Sequence, residues 1–230
     1  MRITALTGAG ISAESGIATF RDSNGLWENH RVEDVASPEG FARDPELVLN
    51  FYNLRRAQLH TVKPNRGHEI LAEMEAEHDV TIVTQNIDDL HERAGSTNVI
   101  HLHGELLKAR PAGRMEPVVD WPGDIKLGDE IAGRQARPHI VWFGESVPKL
   151  EDGAMAVVRA EVIIIVGTSL QVYPAAGLVS YAAPGVPVIY IDPNPAENFE
   201  LNQRRDVHLI RKGGSEGMVE ALALIETFSA

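Results

Sequence analysis

Apolar positions in this chain gather into short runs that end on glycine, proline or small polar residues. Residues 2–7, 80–84, 98–102, 139–143, 161–166 and 187–191 each read as a β-strand. Several are apolar at nearly every position, residues 162–166 most of all, and such a run suits a strand covered on both faces. Between the strands the spacing turns helical. The clearest case is residues 45–60, where Leu47, Leu49, Phe51, Leu54 and Leu59 recur on a helical period. Strands alternating with helices predict a parallel α/β sheet.

Two stretches break this rhythm. Residues 31–75 read as helices, and residues 104–138 as irregular, punctuated by Pro111, Gly113, Pro117, Pro122, Gly123, Gly128 and Gly133. Both predict a smaller lobe inserted into the larger one. The division is then a large lobe of about residues 1–30, 76–103 and 139–230 and a small lobe of about 31–75 and 104–138, within one domain.

Composition narrows the class. The chain has 230 residues, 43% hydrophobic and 23% charged, which is ordinary globular usage and excludes wholesale disorder. No apolar run approaches the ~20 residues that cross a bilayer. The first strand meets its glycine turn by Gly8, so no signal or transit peptide is expected in front of it. The absence of cysteine excludes disulfides, thiolate nucleophiles and cysteine-ligated zinc, and a cytoplasmic protein is the simplest expectation. Acids outnumber bases 33 to 21, which argues against nucleic acid and anionic lipid as partners. The excess suits basic substrates, and a solubilising surface accounts for it equally well. Nothing in the sequence sets the oligomeric state; a monomer is expected.

Gly8-Ala9-Gly10-Ile11-Ser12-Ala13 follows the first strand and opens a helix. This is the G-x-G-x-x-G/A pattern, whose glycines bring backbone N–H groups to a pyrophosphate. A glycine turn without a ligand has the same spelling. A hydride-transferring dehydrogenase would add a second strand ending in an acid about 20 residues later. The stretch Ala18-Thr19-Phe20-Arg21-Asp22 is no strand, which weakens that reading.

Thr84-Gln85-Asn86-Ile87-Asp88 closes another strand, where ligands bind in open α/β sheets. Asn86 suits an amide or a ribose, and Asp88 suits a carboxamide N–H₂. Asp88 or Asp89 capping the next helix explains the same letters. His101 and His103 alternate at a further strand end, on one face. A histidine there is a natural general base. A metal pair is the rival, with no obvious third ligand, and a structural histidine is the plain alternative. Gly167-Thr168-Ser169 ends the strongest strand with backbone donors and two hydroxyls, and Asp192-Pro193-Asn194 ends another within reach of a ribose. Each is also an ordinary turn. Parallel strands carry these ends to one edge, and together they argue for an NAD-like ligand beside a histidine.

In this order the segments resemble the sirtuins, NAD-dependent protein deacylases with a Rossmann-like sheet domain and a smaller inserted lobe. The matching pieces are residues 8–17 with Phe20-Arg21, residues 84–88, His101-Leu102-His103-Gly104, Val141-Trp142-Phe143-Gly144-Glu145, Gly167-Thr168-Ser169 and Tyr173-Pro174-Ala175. Phe51-Tyr52-Asn53-Leu54-Arg55 adds the Tyr-x-x-Arg signature of class III, the CobB-type bacterial branch, in which the pair binds the carboxylate of succinyl- or malonyl-lysine. On a helix Tyr52 and Arg55 share a face, and a guanidinium grips a carboxylate with two hydrogen bonds. A surface arginine beside a half-buried tyrosine is the plainer account.

The resemblance implies roles residue by residue. Gly8, Ala9, Gly10, Ser12, Ala13, Thr19, Phe20, Arg21 and Trp27 would wrap NAD, with Arg21 near its phosphates. Gln85, Asn86, Ile87 and Asp88 would hold the nicotinamide and its ribose. Gly167, Thr168, Ser169, Asp192, Pro193, Asn194 and Gly214 would complete the adenosine side. Asn86, Asp88 and His103 would be catalytic, with His103 as the base. Val141, Trp142, Phe143, Gly144 and Glu145 would pair as a strand with an acyl-lysine protein substrate, beside Tyr52 and Arg55. The products would be nicotinamide, free lysine and 2′-O-acyl-ADP-ribose.

The sequence departs from the family in two respects, the first in residues 104–138 and the second at Ala18. Sirtuins usually hold a structural zinc with four cysteines after the catalytic histidine, and residues 104–138 contain none. Glu116, Asp120, Asp124, Asp129 and Glu130 are oxygen donors, poor substitutes in a thiolate site. No zinc is expected. Holding this remnant of the zinc module would fall to Leu106, Leu107, Val118, Val119, Trp121, Ile125, Leu127 and Ile131. Ala18, where many sirtuins have proline, would widen the acyl pocket. Two other readings stay open: ADP-ribosyl transfer to a protein from the same pocket, and an NAD-binding module without turnover.

Overall fold

A computed structural model describes residues 1–18, 26–27 and 30–228. The expectations on Thr19, Phe20, Arg21 and the Trp27 side chain lie outside the described residues. In chain order, β1 (Arg2–Thr7) enters the short helix α1 (Ala9–Ser12), and β2 (Leu26–Trp27) pairs with β3 (His30–Arg31). Four helices follow: α2 (Val32–Val35), α3 (Pro38–Arg43), α4 (Pro45–Leu59) and α5 (Arg66–Glu73). Next come β4 (Asp79–Thr84), α6 (Leu90–Ala94), β5 (Val99–His101), β6 (Gly104–Pro111), β7 (Val119–Asp120), β8 (Glu130–Ile131) and β9 (Arg134–Ile140). The rest is α7 (Leu150–Arg159), β10 (Val162–Val166), β11 (Val188–Ile191), α8 (Phe199–Asn202), β12 (Val207–Ile210) and α9 (Gly214–Phe228).

Six strands pair in parallel in the order β12-β11-β10-β1-β4-β5. Side chains alternate across this sheet, and both faces are dry. Ile3, Ala5, Ile82, Val162, Ile164 and Ile189 pack with Ile70 and Leu71 of α5 and Met218 and Ile225 of α9. Leu6, Val83, Ile163, Ile165 and Tyr190 pack on the other side with Val157 of α7. That is why the strands read as unbroken apolar runs. From β1 the chain runs out to β5, then returns past β1 to β10 and out to β12. The reversal makes a topological switch point between β1 and β10, where ligands bind in such sheets. The sequence pattern missed β12, an edge strand whose His208 and Leu209 are exposed, leaving too few apolar positions to read.

Residues 104–138, expected to be irregular, instead belong to a four-stranded antiparallel sheet in the order β7-β6-β9-β8. Gly113, Gly128 and Gly133 sit in its turns at positive φ, which is the punctuation seen in the sequence. The strands themselves carry Lys108, Arg110, Arg134, Gln135 and Arg137, so the apolar alternation is weak. Ala109, Ile125, Ile131 and Ala136 form its core with Leu49 of α4, and Phe41, Val119 and Trp121 pack on the edge. Leu127, expected in that core, is 61% exposed. It lies in the turn that Asp129 closes by donating its N–H to the Lys126 carbonyl. Asn53 of α4 clips the lobe on, its Nδ2 donating to Ile125 O and its Oδ1 accepting Ile125 N–H, both at 2.9 Å.

The strand expected at 139–143 stops at Ile140, where β9 ends. The next five residues form a turn, with Gly144 at φ +88°. Among the described residues no helix is long and apolar enough to cross a membrane.

Candidate active site

The strand ends converge on one cavity of about 590 Å³, within the usual size range of small-molecule sites. Sheet order dictates the order of its walls. Asp192, Pro193 and Asn194 follow β11; Gly167, Thr168 and Ser169 follow β10; Gly8, Ala9, Gly10 and Ala13 follow β1; Gln85, Asn86, Ile87 and Asp88 follow β4; and His103 follows β5. Tyr52 and Arg55 of α4 line it too, with Val141, Trp142, Phe143, Gly144 and Glu145. Ser12 and Gly214 do not. Ser12 is fully buried just behind the wall, and Gly214 packs at the start of α9 against Ile11, while its neighbour Gly213 lines the cavity.

The glycine turns are needed first by the protein itself. Gly10 N–H donates to Gly167 O at 2.8 Å and Gly8 N–H to Val166 O at 3.2 Å. A Cβ on Gly10 would lie 2.7 Å from Gly167 Cα, and one on Gly167, at φ +66°, would lie 2.1 Å from Ile11 N. The turns after β1 and β10 therefore touch backbone to backbone. The N–H groups of Gly8 and Gly10 are thus used inside the fold, while both residues line the cavity.

Asn86 and Asp88 are both buried and share Ser12 as a support. Asn86 Nδ2 donates to Gly8 O at 3.2 Å and to Ser12 Oγ at 3.1 Å, and Asn86 N–H donates to Thr84 Oγ1 at 3.0 Å. Ser12 Oγ donates to Asp88 Oδ2 at 3.0 Å, and Leu90 N–H to Asp88 Oδ1 at 3.2 Å. So Asp88 caps the chain entering α6 and lines the cavity as well; the two readings of its sequence position are compatible. Burial pushes its carboxyl up to about 6, against the Leu90 and Ser12 hydrogen bonds that favour the charge.

His103 Nδ1 meets Gln85 O at 3.1 Å. A carbonyl only accepts, so Nδ1 carries the proton, and in the neutral ring Nε2 is the basic nitrogen. Burial lowers its pKa, partly offset by the Gln85 carbonyl. His101 is built differently: its two nitrogens face Asn86 O at 3.1 Å and Glu92 Oε1 at 2.7 Å. The metal-pair reading of the two histidines finds no support, since no group of three or more His, Asp or Glu able to hold a metal occurs among the described residues.

Tyr52 is wholly buried and accepts the Trp142 indole N–H at 2.9 Å. Burial raises its pKa, so its hydroxyl keeps its proton. The Arg55 guanidinium lies 4.4 Å from the centre of the Phe51 ring. Glu145, which lines the cavity, also holds the turn. Its carboxylate takes Arg137 at 2.7 Å, Arg110 at 3.1 Å and Trp142 N–H at 2.8 Å. Arg137 in turn stacks on the Trp142 ring at 3.2 Å. Backbone donors of the turn are engaged as well: Val141 N–H to His103 O at 2.8 Å and Phe143 N–H to Ala36 O at 3.0 Å.

The sequence reading missed a buried polar network under the site. Thr7 Oγ1 donates to Thr84 Oγ1 at 2.8 Å and meets His91 Nε2 at 3.0 Å, while His68 Nε2 lies 3.4 Å from Ser12 Oγ. Nothing in spacing marks His68 or His91, because both sit on helices among ordinary polar neighbours. Gln58, one turn along α4 from Arg55, and Glu14 and Tyr173 also line the cavity and were not singled out as ligand contacts.

A parallel sheet with this switch point, a glycine turn on each side of it and polar loops at the adjoining strand ends defines a dinucleotide-binding class of α/β protein. Comparison with known proteins narrows the class. Residues 8–174 match the Sir2 family, and the chain belongs to that family. A "NAD-dependent protein deacylase" of Bacteroides thetaiotaomicron is 51% identical over 230 residues, covering 97% of each chain. One of Helicobacter pylori is 50% identical over 226 residues, again covering 97% of each. Among solved structures, a Sir2 homologue–NAD complex superposes with a TM-score of 0.84 at 40% identity, covering 98% of this chain and 89% of the other.

Proposed function

We propose that this protein is an NAD-dependent protein-lysine deacylase, with NAD as co-substrate in the cavity described above. One observation carries the reading. The Asn86 amide, the Asp88 carboxylate and the His103 imidazole line the same cavity as the two glycine turns at the switch point. The donor set fits the dinucleotide. Asn86 gives its N–H groups to Gly8 and Ser12, which leaves Oδ1 to accept from a carboxamide, and Asp88 is a second acceptor beside it. Ser169, Asp192 and Asn194 offer hydroxyl, carboxylate and amide to the adenosine ribose at the far strand ends.

Bound NAD would supply an electrophilic ribose carbon with nicotinamide as its leaving group. Asn86 and Asp88 orient that end. His103 Nε2 would take the proton of a ribose hydroxyl as the acyl group moves from lysine to ADP-ribose, and one water, entering once nicotinamide has left, would complete the release of free lysine. The apolar walls made by Ile87, Leu106, Ile140 and Val141 exclude water from the acyl-lysine. The acyl groups favoured are acidic, succinyl and malonyl, with acetyl as a poorer substrate. Tyr52 as a neutral donor and Arg55 as a cation both line the cavity and match a carboxylate. The 141–145 turn meets the peptide through carbonyl oxygens, its Val141, Trp142 and Phe143 N–H groups being already engaged. The two sheets are the cores of a large and a small lobe of one catalytic domain. The cysteine-free chain fits a reducing compartment, and we assign it to the cytoplasm.

Mass spectrometry of a reaction with NAD and a succinyl-lysine peptide tests this. Free lysine and 2′-O-succinyl-ADP-ribose in equal amounts are expected. ADP-ribose attached to protein, with the acyl group untouched, would mean a transferase instead.

A further inference from the structure

Two histidines two residues apart pin consecutive carbonyls of one loop. His103 holds Gln85 O and turns its other nitrogen to the cavity; His101 holds Asn86 O and turns its other nitrogen to Glu92. Both partners of His101 are acceptors only, so both ring nitrogens must carry protons. His101 is therefore an imidazolium in the fold, while His103 is a neutral base.

Asn86 is gripped from three sides: its N–H by Thr84, its amide by Gly8 and Ser12, and its carbonyl by His101. The His101 contact fixes the peptide group between Asn86 and Ile87, and Leu106 N–H holds the next one by donating to Ile87 O at 2.8 Å. His101 ends β5, in register with Thr84 of β4, and Glu92 sits on α6. The ion pair thus spans the loop from the strand beside it to the helix after it. Its His101 side chain is only 8% exposed.

We propose that His101 and Glu92 form a charged positioning pair that holds the Asn86–Asp88 loop in its ligand-binding conformation and favours the carboxylate form of Asp88. The proposal rests on the deacylase reading, in which that loop orients NAD. Behind Asp88 lies a second cavity of about 180 Å³, lined by Asp88, Asp89, His101, Glu105, Lys108 and Asp120 among others. Ile87, Asp88 and Leu106 line both cavities. The charged groups facing His101 are Glu92 and the neutral His91 of α6, Asp88 and Asp89 of the loop, Glu105 and Lys108 of β6, and Asp120 of β7. Carboxylates predominate, so the imidazolium is favoured over the free ring although burial opposes it. Its charge in turn lowers the cost of ionising Asp88.

The test begins with wild-type nicotinamide release on an acyl-lysine peptide; no release there would count against the deacylase reading, not against the pair. His101→Gln keeps a donor for Asn86 O and removes the charge, and His101→Leu removes both. The acidic limb of kcat/KM for NAD should move to higher pH in both variants. KM for NAD should rise about tenfold, the worth of a charged hydrogen bond, in His101→Leu and less in His101→Gln. Glu92→Gln should move the acidic limb in the same direction. Thermal unfolding is followed in parallel. A lower melting temperature with the acidic limb and KM unchanged would make His101 merely structural and overturn the proposal. If His101→Leu does not fold, an unmoved limb in His101→Gln overturns it alone.

Discussion

His103 Nδ1 stands 3.1 Å from the carbonyl oxygen of Gln85, the residue before Asn86. That contact fixes the tautomer that leaves Nε2 basic, and it ties the base to the loop that orients NAD. Replacing His103 by Ala should lower turnover by about 10²- to 10⁴-fold, the usual worth of a general base. NAD binding, measured by calorimetry, should survive. Full activity in the variant would place the base elsewhere.

Asp88 sets the acidic side of the pH profile. Its carboxyl is held up at about 6 by burial, while burial lowers the His103 pKa and so widens the range over which that ring is neutral. Activity through kcat/KM for NAD should fall as pH drops through about 6, in proportion to the protonated fraction of Asp88. Asp88→Asn should raise KM for NAD and abolish that limb. A limb that persists in Asp88→Asn would assign it to another group.

Arg55→Met removes the cation of the acyl pocket while keeping its bulk. Desuccinylation should drop by about 10- to 100-fold, a charged hydrogen bond being worth about 1.5–3 kcal/mol. Deacetylation should change by less than about twofold, because an acetyl group offers no carboxylate. Equal losses on both substrates would end the carboxylate-clamp reading.

Which features could be read in advance depended on whether a residue acts locally. The parallel sheet was legible because each strand is buried on both faces, so Val162–Val166 is apolar throughout. The loops at the strand ends were legible for the same reason: Asn86, Asp88, His103 and Thr168 interrupt apolar runs at the one sheet edge where ligands bind. Ser12 and Glu145 were noticed, but their work is done by distant partners. Ser12 reaches Asp88 and Asn86, and Glu145 reaches Arg110 and Arg137. No spacing rule encodes such pairs. The small sheet was hidden because its strands carry charge, with Arg110 and Arg137 buried by folding onto Glu145.

Buried histidines should make the fold acid-sensitive. Burial holds His68 down at about 4 and His91 well below its ordinary value, so both are neutral in the fold and bind protons only on unfolding. Stability is therefore lost as pH falls from 6.5 toward 4. By pH 5 His68 contributes a loss of about 2 kcal/mol and His91 acts in the same direction, while the raised Asp88 returns only about 1 kcal/mol. The urea midpoint should be clearly lower at pH 5 than at pH 7. An equal or higher midpoint at pH 5 would show that these rings are not held neutral.

In the small lobe, the Arg110–Glu145–Arg137 cluster links β6 and β9 to the turn that carries Trp142. Glu145→Ala leaves two buried guanidinium groups without their anion and should cost about 3–5 kcal/mol. It should also raise KM for the peptide, since Trp142 orients Tyr52. A chelator should leave the wild-type melting temperature unchanged. A fall of several degrees with chelator would reveal a metal in the fold.

The most direct measurement is nicotinamide release from NAD with one peptide offered as its succinyl-lysine and acetyl-lysine forms. Release that depends on the acyl-lysine, faster with succinyl, is the predicted result. Confirmed NAD binding with no release on either form would contradict a deacylase.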